Sequence, residues 1–493
     1  MTKKHKNVTF CFVVFFHNSI ALFIKIPYNL AIKAGKGGHI MSNEEKILNG
    51  VHDYSKEDGY CVPQEAAVRE KLEWFMDQKL ALMMHWGPYS QPGLVESWAL
   101  IDEDEEWSRN EVDWTQDIDA FKDSYVHLNE TFNPIRFEPE KWARFARETG
   151  FRYLIFTTKH HDGFCMWDTK TTDYRITAES CPFHTNSRAD VVRHVFDAFR
   201  KEGLGIAAYF SKADWHTPYY WKEDALHGFT SRGPSYDPAE DPETWESFVQ
   251  YTHEQLRELA DGYGPLDILW FDAGWVRPSN GQDIRLGEIM DELRKRWPAL
   301  ISADRTVGGP YENYITPEQC IPEEPLLVPW ESCITMGSAF SFRYEDTYKS
   351  ARTIVGLLLQ IIAKGGNLAL NVAPQPDGRL SRTAMQHLQE FGTWLHSHAE
   401  GIFETRPVAP YTKDAFYFTR NRKTGNVYAF RYYERPDAPV ETCLMIPYEG
   451  PVAEVRLLET DTVLPFEKTA EGIQVQVLCF EEAPFSLTFK ITG

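Results

Sequence analysis

Short apolar runs alternate with longer amphipathic segments through most of this chain, and this alternation restricts its fold more than any other feature. Strand-length apolar runs occur at residues 80–86, 153–158, 205–210, 268–271, 300–303, 326–330 and 368–372. Segments with helical periodicity lie between several of them, at residues 139–149, 190–201, 241–260, 284–296, 350–363 and 385–397. Repeated strand–helix units predict a parallel sheet, most simply a (β/α)8-like barrel whose eighth strand is weak or irregular.

The pattern changes near residue 405. Six β-type runs follow without intervening helices, at residues 415–419, 427–433, 442–447, 452–458, 473–480 and 485–491. Such a series is typical of a small antiparallel sandwich. We therefore expect an α/β chain with a barrel over residues 41–404 and a C-terminal β-sandwich over residues 405–493.

Residues 1–40 fit neither region. Lysines precede an apolar stretch at residues 8–16, which resembles part of a signal peptide but lacks a clear cleavage site and is too short to span a bilayer. Met41 begins a polar sequence that reads as the start of a soluble protein. We expect residues 1–40 to be an extension outside the fold and the protein to be cytoplasmic. If they are a secretion or anchor segment instead, it is secreted or periplasmic.

The charge balance narrows the class of partner. Lysine and arginine number 51 against 72 acidic residues, a net charge of −21, which disfavours nucleic acid and anionic membrane surfaces as partners. A neutral substrate fits better. The 8 cysteines contain no CxxC pair, so we expect mostly free thiols and no zinc site.

Asp272 carries the strongest chemical signal. The apolar run at residues 268–271 ends in this acid, and Ala273, Gly274 and Trp275 follow at once. A charged acid at the end of a buried strand is costly unless it is paired or used. In a barrel of this kind, the carboxyl ends of the strands form the active site. Asp272 is therefore a candidate catalytic nucleophile.

Other polar residues follow the remaining strands: His85, His160, His161, Tyr209, Arg305 and Glu331. Such a set suits a sugar pocket, because aromatic faces pack on the apolar side of a pyranose while imidazole and guanidinium groups bind its hydroxyls. The sequence His160-His161-Asp162 also suggests metal ligands. Neighbouring residues on a regular strand point to opposite faces, however, so we expect no metal.

Five motifs resemble the α-L-fucosidases of glycoside hydrolase family 29, over about residues 65–410. They are HWGPYS at 85–90, KHHDGF at 159–164, LWFD at 269–272, GNLALNV at 366–372 and DG at 377–378. The resemblance implies a barrel followed by a β-sandwich, a fucosylated oligosaccharide as substrate and no cofactor. It also implies a retaining mechanism with a carboxylate nucleophile and a second carboxyl as acid/base.

Asp272 matches the nucleophile of that family. The resemblance favours Glu318, on a loop after the fifth strand, as acid/base, and leaves Glu331 as its rival deeper at a strand end. Sugar-binding roles transfer to the following residues: His85, His160, His161, Tyr209, Trp270 and Arg305. Glu96 and Trp98 correspond only loosely to a Glu-Trp pair of the family, because Ser97 separates them.

The TPEQ sequence at residues 316–319 resembles the branch of the family that prefers α-1,3/1,4-linked fucose on branched oligosaccharides. The acidic segment at residues 102–114 is a candidate for shaping the neighbouring subsite. Three alternatives stay open: a different retaining exo-glycosidase such as an α-galactosidase-like enzyme, a catalytically inactive fucose-binding protein, and a metal-dependent hydrolase. We expect no stable membrane association, and the sequence leaves the oligomeric state open.

Overall fold

The structure is a computed structural model that describes residues 54–109, 117–477 and 482–493. The predicted extension at residues 1–40 lies outside these ranges, as do parts of the segments at 102–114 and 473–480. Within the described ranges, no helix is both long and apolar enough to cross a membrane. The six cysteines in these ranges are free thiols.

Seven parallel strands form the first sheet, in the order β5-β4-β3-β2-β1-β7-β6. Their bounds are β1 Leu80–Met84, β2 Tyr153–Lys159, β3 Gly205–Ser211, β4 Ile268–Asp272, β5 Ile301–Asp304, β6 Glu331–Thr335 and β7 Asn367–Asn371. Alternate side chains face the barrel interior: on β4, Ile268 and Trp270 point inward whereas Leu269 and Phe271 pack among the residues beneath the helices. Asp272 continues the inward-facing series, as the alternation of the run predicts.

Helices follow most of these strands. In chain order they are α1 Ala66–Gln78, α2 Glu105–Ser108, α3 Ile118–Val126, α4 Pro139–Thr149, α5 Val191–Lys201, α6 Pro242–Arg257, α7 Leu286–Arg296, α8 Ala351–Ala363 and α9 Arg382–Ile402. Local sequence signals set several ends. Asp241 and Ser350 each accept a hydrogen bond from a backbone N–H in the first turn of α6 and α8. Gly150 ends α4 in a left-handed conformation at φ 105°.

The prediction of the sixth strand is wrong. The apolar run at residues 326–330 precedes the strand, which begins at Glu331. Glu331 therefore lies at the amino end of β6, paired with Asn367 at the amino end of β7, and not at the carboxyl edge where the other polar residues gather.

An irregular segment at residues 311–319 closes the barrel between β5 and β6. Its backbone pairs with its neighbours in isolated bridges and not in a continuous ladder: Glu312 with Ala303 on β5, Ile315 with Trp330, and Glu318 with Cys333 on β6. This segment occupies the place of the eighth strand, which the sequence predicted to be weak or irregular. It carries Glu318 up the barrel wall to the level of the third residue of β6.

Antiparallel sheets follow, beginning with β8 at Thr405. Their strands are β8 Thr405–Lys413, β9 Phe416–Asn421, β10 Val427–Tyr432, β11 Cys443–Ile446, β12 Glu454–Leu457, β13 Thr462–Leu464, β14 Phe466–Lys468, β15 Ile473–Gln476 and β16 Ser486–Thr492. Six of them form one sheet in the order β13-β12-β16-β10-β9-β8, and β11-β15-β14 form another. Phe418, Val455 and Phe489 belong to the apolar core of this region. The predicted fold class, a barrel followed by an antiparallel sandwich, is confirmed.

Candidate active site

A cavity of about 280 Å³ opens at the carboxyl edge of the barrel. Most of the residues that the sequence singled out line it: His85, Glu96, Trp98, His160, Tyr209, Trp270, Asp272, Arg305 and Glu318. His161 lies directly behind this lining, 3.9 Å from Asp272. Glu331 does not reach the cavity. The carboxyl ends of the parallel strands therefore bring together residues that are more than 200 positions apart in the sequence.

Asp272 is held as a carboxylate by two neighbours. Its Oδ1 accepts a hydrogen bond from Arg305 at 2.8 Å, and its Oδ2 accepts one from the Tyr209 hydroxyl at 2.5 Å. Burial alone would raise the pKa of Asp272, but the charge of Arg305, with His161 and the Tyr209 hydroxyl, moves it well below the ordinary value. The acid is thus ionised at any physiological pH, as a nucleophile must be.

Arg305 connects the two carboxyls of the cavity. One of its terminal nitrogens binds Asp272, and the other binds Glu318. The guanidinium is only 4% exposed and lies 4.7 Å above the ring of Trp270, which fixes its plane. Asp272 and Glu318 therefore stand on the same wall, each one hydrogen bond from a single side chain.

Two histidines present neutral imidazoles. The Nδ1 of His85 lies 2.8 Å from Oδ1 of Asn371, whose amide nitrogen donates to a backbone carbonyl, so His85 must donate through Nδ1. Burial lowers the pKa of His85 to about 4. Burial, reinforced by the neighbouring histidines, also places the pKa of His160 well below its ordinary value. The Nε2 atom of His85 is consequently a hydrogen-bond acceptor.

His161 has its tautomer set by a serine. Ser211 donates its only hydroxyl hydrogen to the carbonyl of Ala213 and therefore accepts from Nδ1 of His161, at 2.7 Å. The Nε2 atom of His161 consequently faces Asp272.

The two adjacent histidines both reach the site, contrary to the prediction that they point to opposite faces. Strand β2 ends at Lys159, so His160 and His161 lie on a turn, and their ring centres are 4.1 Å apart. With Asp272 they bring three potential metal ligands within 4.8 Å. The donors fit a cation poorly, because Asp272 is already bound by the positive Arg305. The Nδ1 atoms of both histidines are engaged with serine hydroxyls.

Glu96 and Trp98 are brought to the cavity by a strained turn. Glu96 has φ 42°, an uncommon value for a residue with a Cβ, and its carboxyl accepts a hydrogen bond from the backbone of Ser341 at 2.5 Å. Burial raises the pKa of Glu96 to about 7. Ser97, which separates the two residues in sequence, binds Nδ1 of His160 at 2.6 Å. The inserted serine therefore orients a histidine of the site.

Glu331 lies beneath the cavity floor and is fully buried. It accepts hydrogen bonds from the indole nitrogen of Trp270, at 3.1 Å, and from the hydroxyl of Tyr153. Burial raises the pKa of this carboxyl to about 7, although both hydrogen bonds oppose the shift. The carboxyl therefore lies at the edge of the Trp270 ring, outside the cavity lining, and holds the indole in place.

Sequence reasoning missed several residues of the cavity wall. Trp107 lies in the acidic segment that was expected to shape a subsite, but Arg232, Gln319, Phe340 and Arg343 were not recognised. Gln319 was quoted only as part of the TPEQ sequence. Arg232 and Arg343 stand in irregular loops without periodicity, and only the three-dimensional contacts bring them to the cavity.

Comparison with known sequences gives one consistent result. Residues 49–400 match the sequence model of the family described as α-L-fucosidase. The α-L-fucosidase of Dictyostelium discoideum is 25% identical over 453 residues, which cover 85% of this chain and 92% of that protein. The human plasma α-L-fucosidase is 25% identical over 348 residues, covering 68% of this chain and 70% of that protein.

Solved structures agree with this result. The α-L-fucosidase isoenzyme 1 from Paenibacillus thiaminolyticus superposes with a TM-score of 0.69 at 25% identity, covering 87% of this chain and 99% of that one. A family 29 α-L-fucosidase from Bacteroides thetaiotaomicron, described as a covalent intermediate trapped with 2-fluoro-fucosyl fluoride, has a TM-score of 0.70 at 21% identity. It covers 88% of this chain and 98% of its own and supports the fold alone.

Proposed function

Because this chain belongs to the α-L-fucosidase family, we propose that it hydrolyses terminal α-L-fucose from oligosaccharides by a retaining mechanism through a covalent fucosyl-enzyme. The observation that carries the proposal is the Arg305 bridge, which holds the ionised Asp272 next to the carboxyl of Glu318 in a cavity lined by aromatic and imidazole groups. A retaining pair requires carboxyls about 5–5.5 Å apart, and a shared guanidinium suits that spacing.

In the first step, a carboxylate oxygen of Asp272 attacks the anomeric carbon while the bond to the leaving oxygen breaks. Glu318 gives its proton to that oxygen. In the second step, Glu318 takes a proton from water, the water oxygen attacks the same carbon, and the ester to Asp272 breaks. Tyr209 and Arg305 donate hydrogen bonds to the oxygens of Asp272 and stabilise the carboxylate that forms again when the ester breaks.

The sugar is held by the remaining residues of the cavity. The neutral imidazoles of His85 and His160 form hydrogen bonds with its hydroxyls. His161 lies behind them, next to Asp272. Trp98, which lines the cavity, offers its ring to the apolar side of the sugar. Glu96, whose pKa is raised to about 7 by burial, can donate or accept a hydrogen bond near neutral pH.

Linkage preference is a finer part of the proposal. The TPEQ sequence, in which Glu318 follows Thr316 and Pro317, supports action on α-1,3/1,4-linked fucose of branched oligosaccharides. We expect an aryl α-L-fucoside to be hydrolysed more slowly than a Lewis trisaccharide. Comparable turnover of the two substrates would contradict this preference while leaving the fucosidase activity intact.

The central test is trapping of the nucleophile with 2-fluoro-fucosyl fluoride, followed by peptide mapping. We expect a single label on Asp272, and none on the Asp272→Asn variant. A label on any other residue overturns the assignment.

A panel of aryl glycosides separates the α-galactosidase-like alternative, and fucose binding without hydrolysis would indicate an inactive binding protein. Loss of activity with a chelator would support the metal-dependent alternative.

A further inference from the structure

The cavity continues beyond the groups that the proposed reaction uses. Past Trp98 it is lined by Trp107 and Arg232, which lie on different loops. The Arg232 guanidinium is 5.0 Å from the ring of Trp98, and the rings of Trp98 and Trp107 are 5.5 Å apart. We call Trp107 and Arg232 the tryptophan–arginine wall.

A single carboxylate holds both side chains of this wall in position. Asp104, 7% exposed, accepts hydrogen bonds from Nε and Nη2 of Arg232 at 2.7 and 2.6 Å. The same group accepts from the indole nitrogen of Trp107 at 3.2 Å. The wall is therefore ordered before a ligand arrives, which lowers the entropy cost of binding to it.

A second acid fixes the two loops to each other. Asp102 accepts hydrogen bonds from the backbone and hydroxyl of Thr230, at 2.8 and 3.0 Å, and pairs with Lys122. These contacts join the loop of Trp107 to the loop of Arg232. Burial alone would raise the pKa of Asp102, but the hydrogen bonds from Lys122, Thr230 and Arg109 lower it to about 2. Asp102 therefore stays ionised, and the two loops stay connected, at any physiological pH.

We infer that the tryptophan–arginine wall binds the leaving-group sugar, and that this sugar is a neutral pyranoside; the inference rests on the fucosidase activity proposed above. An indole face packs on the C–H side of a pyranose ring. Within the described part of the chain, Nη1 of Arg232 makes no hydrogen bond, and it supplies donors for sugar hydroxyls. Asp104 already neutralises the charge of Arg232, so the wall gives no net attraction to an anionic leaving group.

The test compares two substrates that share fucose and differ in the leaving group: a Lewis trisaccharide and α-L-fucosyl fluoride. For Trp107→Ala, the ratio of kcat/KM for the trisaccharide to kcat/KM for the fluoride is expected to fall about tenfold, as loss of one aromatic contact predicts. Trp107→Phe, which keeps a ring, should lower the ratio less. Arg232→Lys should lower it because one ammonium cannot bind Asp104 and a hydroxyl in the same geometry.

Trp74→Phe is the matched control. Trp74 packs against Tyr153 at the amino end of β2, with ring centres 6.2 Å apart, and does not line the cavity. This variant should keep the ratio within about twofold. An unchanged ratio in Trp107→Ala and Arg232→Lys overturns the inference, as does preference for a sulfated trisaccharide over the neutral one.

Failure of the proposed function gives a different result, namely no hydrolysis of either substrate by the unmodified protein. In that case, calorimetric binding of the unfucosylated disaccharide still tests the wall. We expect weaker binding to Trp107→Ala than to the unmodified protein. Equal binding would overturn the inference without reference to catalysis.

Discussion

The segment at residues 311–319 and strand β6 lie side by side in the barrel wall, and each presents one glutamate, but only one reaches the cavity. Glu318 is 10% exposed and contacts Arg305, which lies over the ring face of Trp270, whereas Glu331 is fully buried and accepts a hydrogen bond from the edge of that ring. Glu331 is the first residue of a regular parallel strand, and the amino ends of such strands face away from the catalytic edge. Glu318 reaches that edge because its segment is irregular.

The comparison separates two uses of a buried carboxyl. Glu318 shares Arg305 with Asp272, so both carboxyls belong to one hydrogen-bonded group in the cavity. Glu331 instead accepts from Trp270 and Tyr153, and burial, the largest influence, raises its pKa to about 7. These contacts hold Trp270 in place at the floor of the cavity. We therefore assign acid/base chemistry to Glu318 and positioning of Trp270 to Glu331 as part of the proposed function.

The largest expected effect follows from removing the acid/base. Glu318→Ala should lower kcat/KM for an oligosaccharide about 10²–10⁴-fold, the usual contribution of general acid–base catalysis. Added azide should raise turnover of an activated aryl fucoside by this variant, because the anion attacks the fucosyl-enzyme without base assistance. The measurement is steady-state hydrolysis with and without azide, together with detection of fucosyl azide.

Glu331→Gln is the matched control for that experiment. It should keep a side-chain acceptor for Trp270 and show no azide rescue. Rescue of Glu331→Gln with none in Glu318→Ala would reverse the two assignments.

The sequence predicted both the fold and the site correctly where one pattern indicated a strand and a polar residue at its end. The run at residues 268–271 is apolar and ends in Asp272, so strand β4 and its catalytic candidate were found together. Strand β6 was misplaced because Leu326, Leu327 and Val328 resemble a buried strand more than a segment that begins with glutamate does. A buried strand can begin with Glu331 because Trp270 and Tyr153, which lie 61 and 178 positions away in the sequence, donate hydrogen bonds to its carboxyl.

The sequence offered the segment at residues 102–114, which contains Trp107, as a candidate for a subsite, but it did not indicate that Arg232 joins it. The geometry of the tryptophan–arginine wall depends on the contact between Asp104 and Arg232, which lie 128 positions apart on two irregular loops. Neither loop has a period that indicates which side chains point inward. Patterns along the chain report burial of regular elements, and loop residues of this kind carry no such pattern.

A smaller effect concerns the pH dependence of stability. The ordinary pKa of a glutamate is 4.5, and that of Glu331 is raised to about 7, so between these values the folded protein keeps a proton that the unfolded chain releases. The stability that protonated Glu331 contributes is complete below pH 4.5 and is lost as the pH rises through about 7. The free energy of unfolding, relative to Glu331→Gln, should therefore fall by about 1 kcal/mol per pH unit in this range.

Urea unfolding of both proteins at several pH values measures that difference. Subtracting the Glu331→Gln curve removes the contributions of Glu96 and Asp162, whose pKa values are also raised to about 7 by burial. A difference that does not change between pH 4.5 and 7 would show that Glu331 is not held in its neutral form.

The smallest effect tests what holds the irregular segment in place. Gln319 follows Glu318 at φ 51°, a conformation that costs energy for a residue with a Cβ. Its side chain offsets that cost through two bonds to Thr335 on β6, accepting from the backbone N–H at 3.2 Å and donating to the hydroxyl at 3.0 Å. Gln319→Ala should lower kcat for an oligosaccharide about three- to tenfold, the worth of about one hydrogen bond.

A double-mutant cycle with Thr335→Val distinguishes this anchoring from a direct contact between Gln319 and the substrate. If these two bonds position Glu318, the double variant should lose little more than Gln319→Ala alone, because Thr335→Val breaks only the hydroxyl bond, which Gln319→Ala has already removed. Additive losses would mean that Gln319 acts independently of Thr335. In that case the position of Glu318 would depend on the backbone bridge to Cys333 and on Arg305 alone.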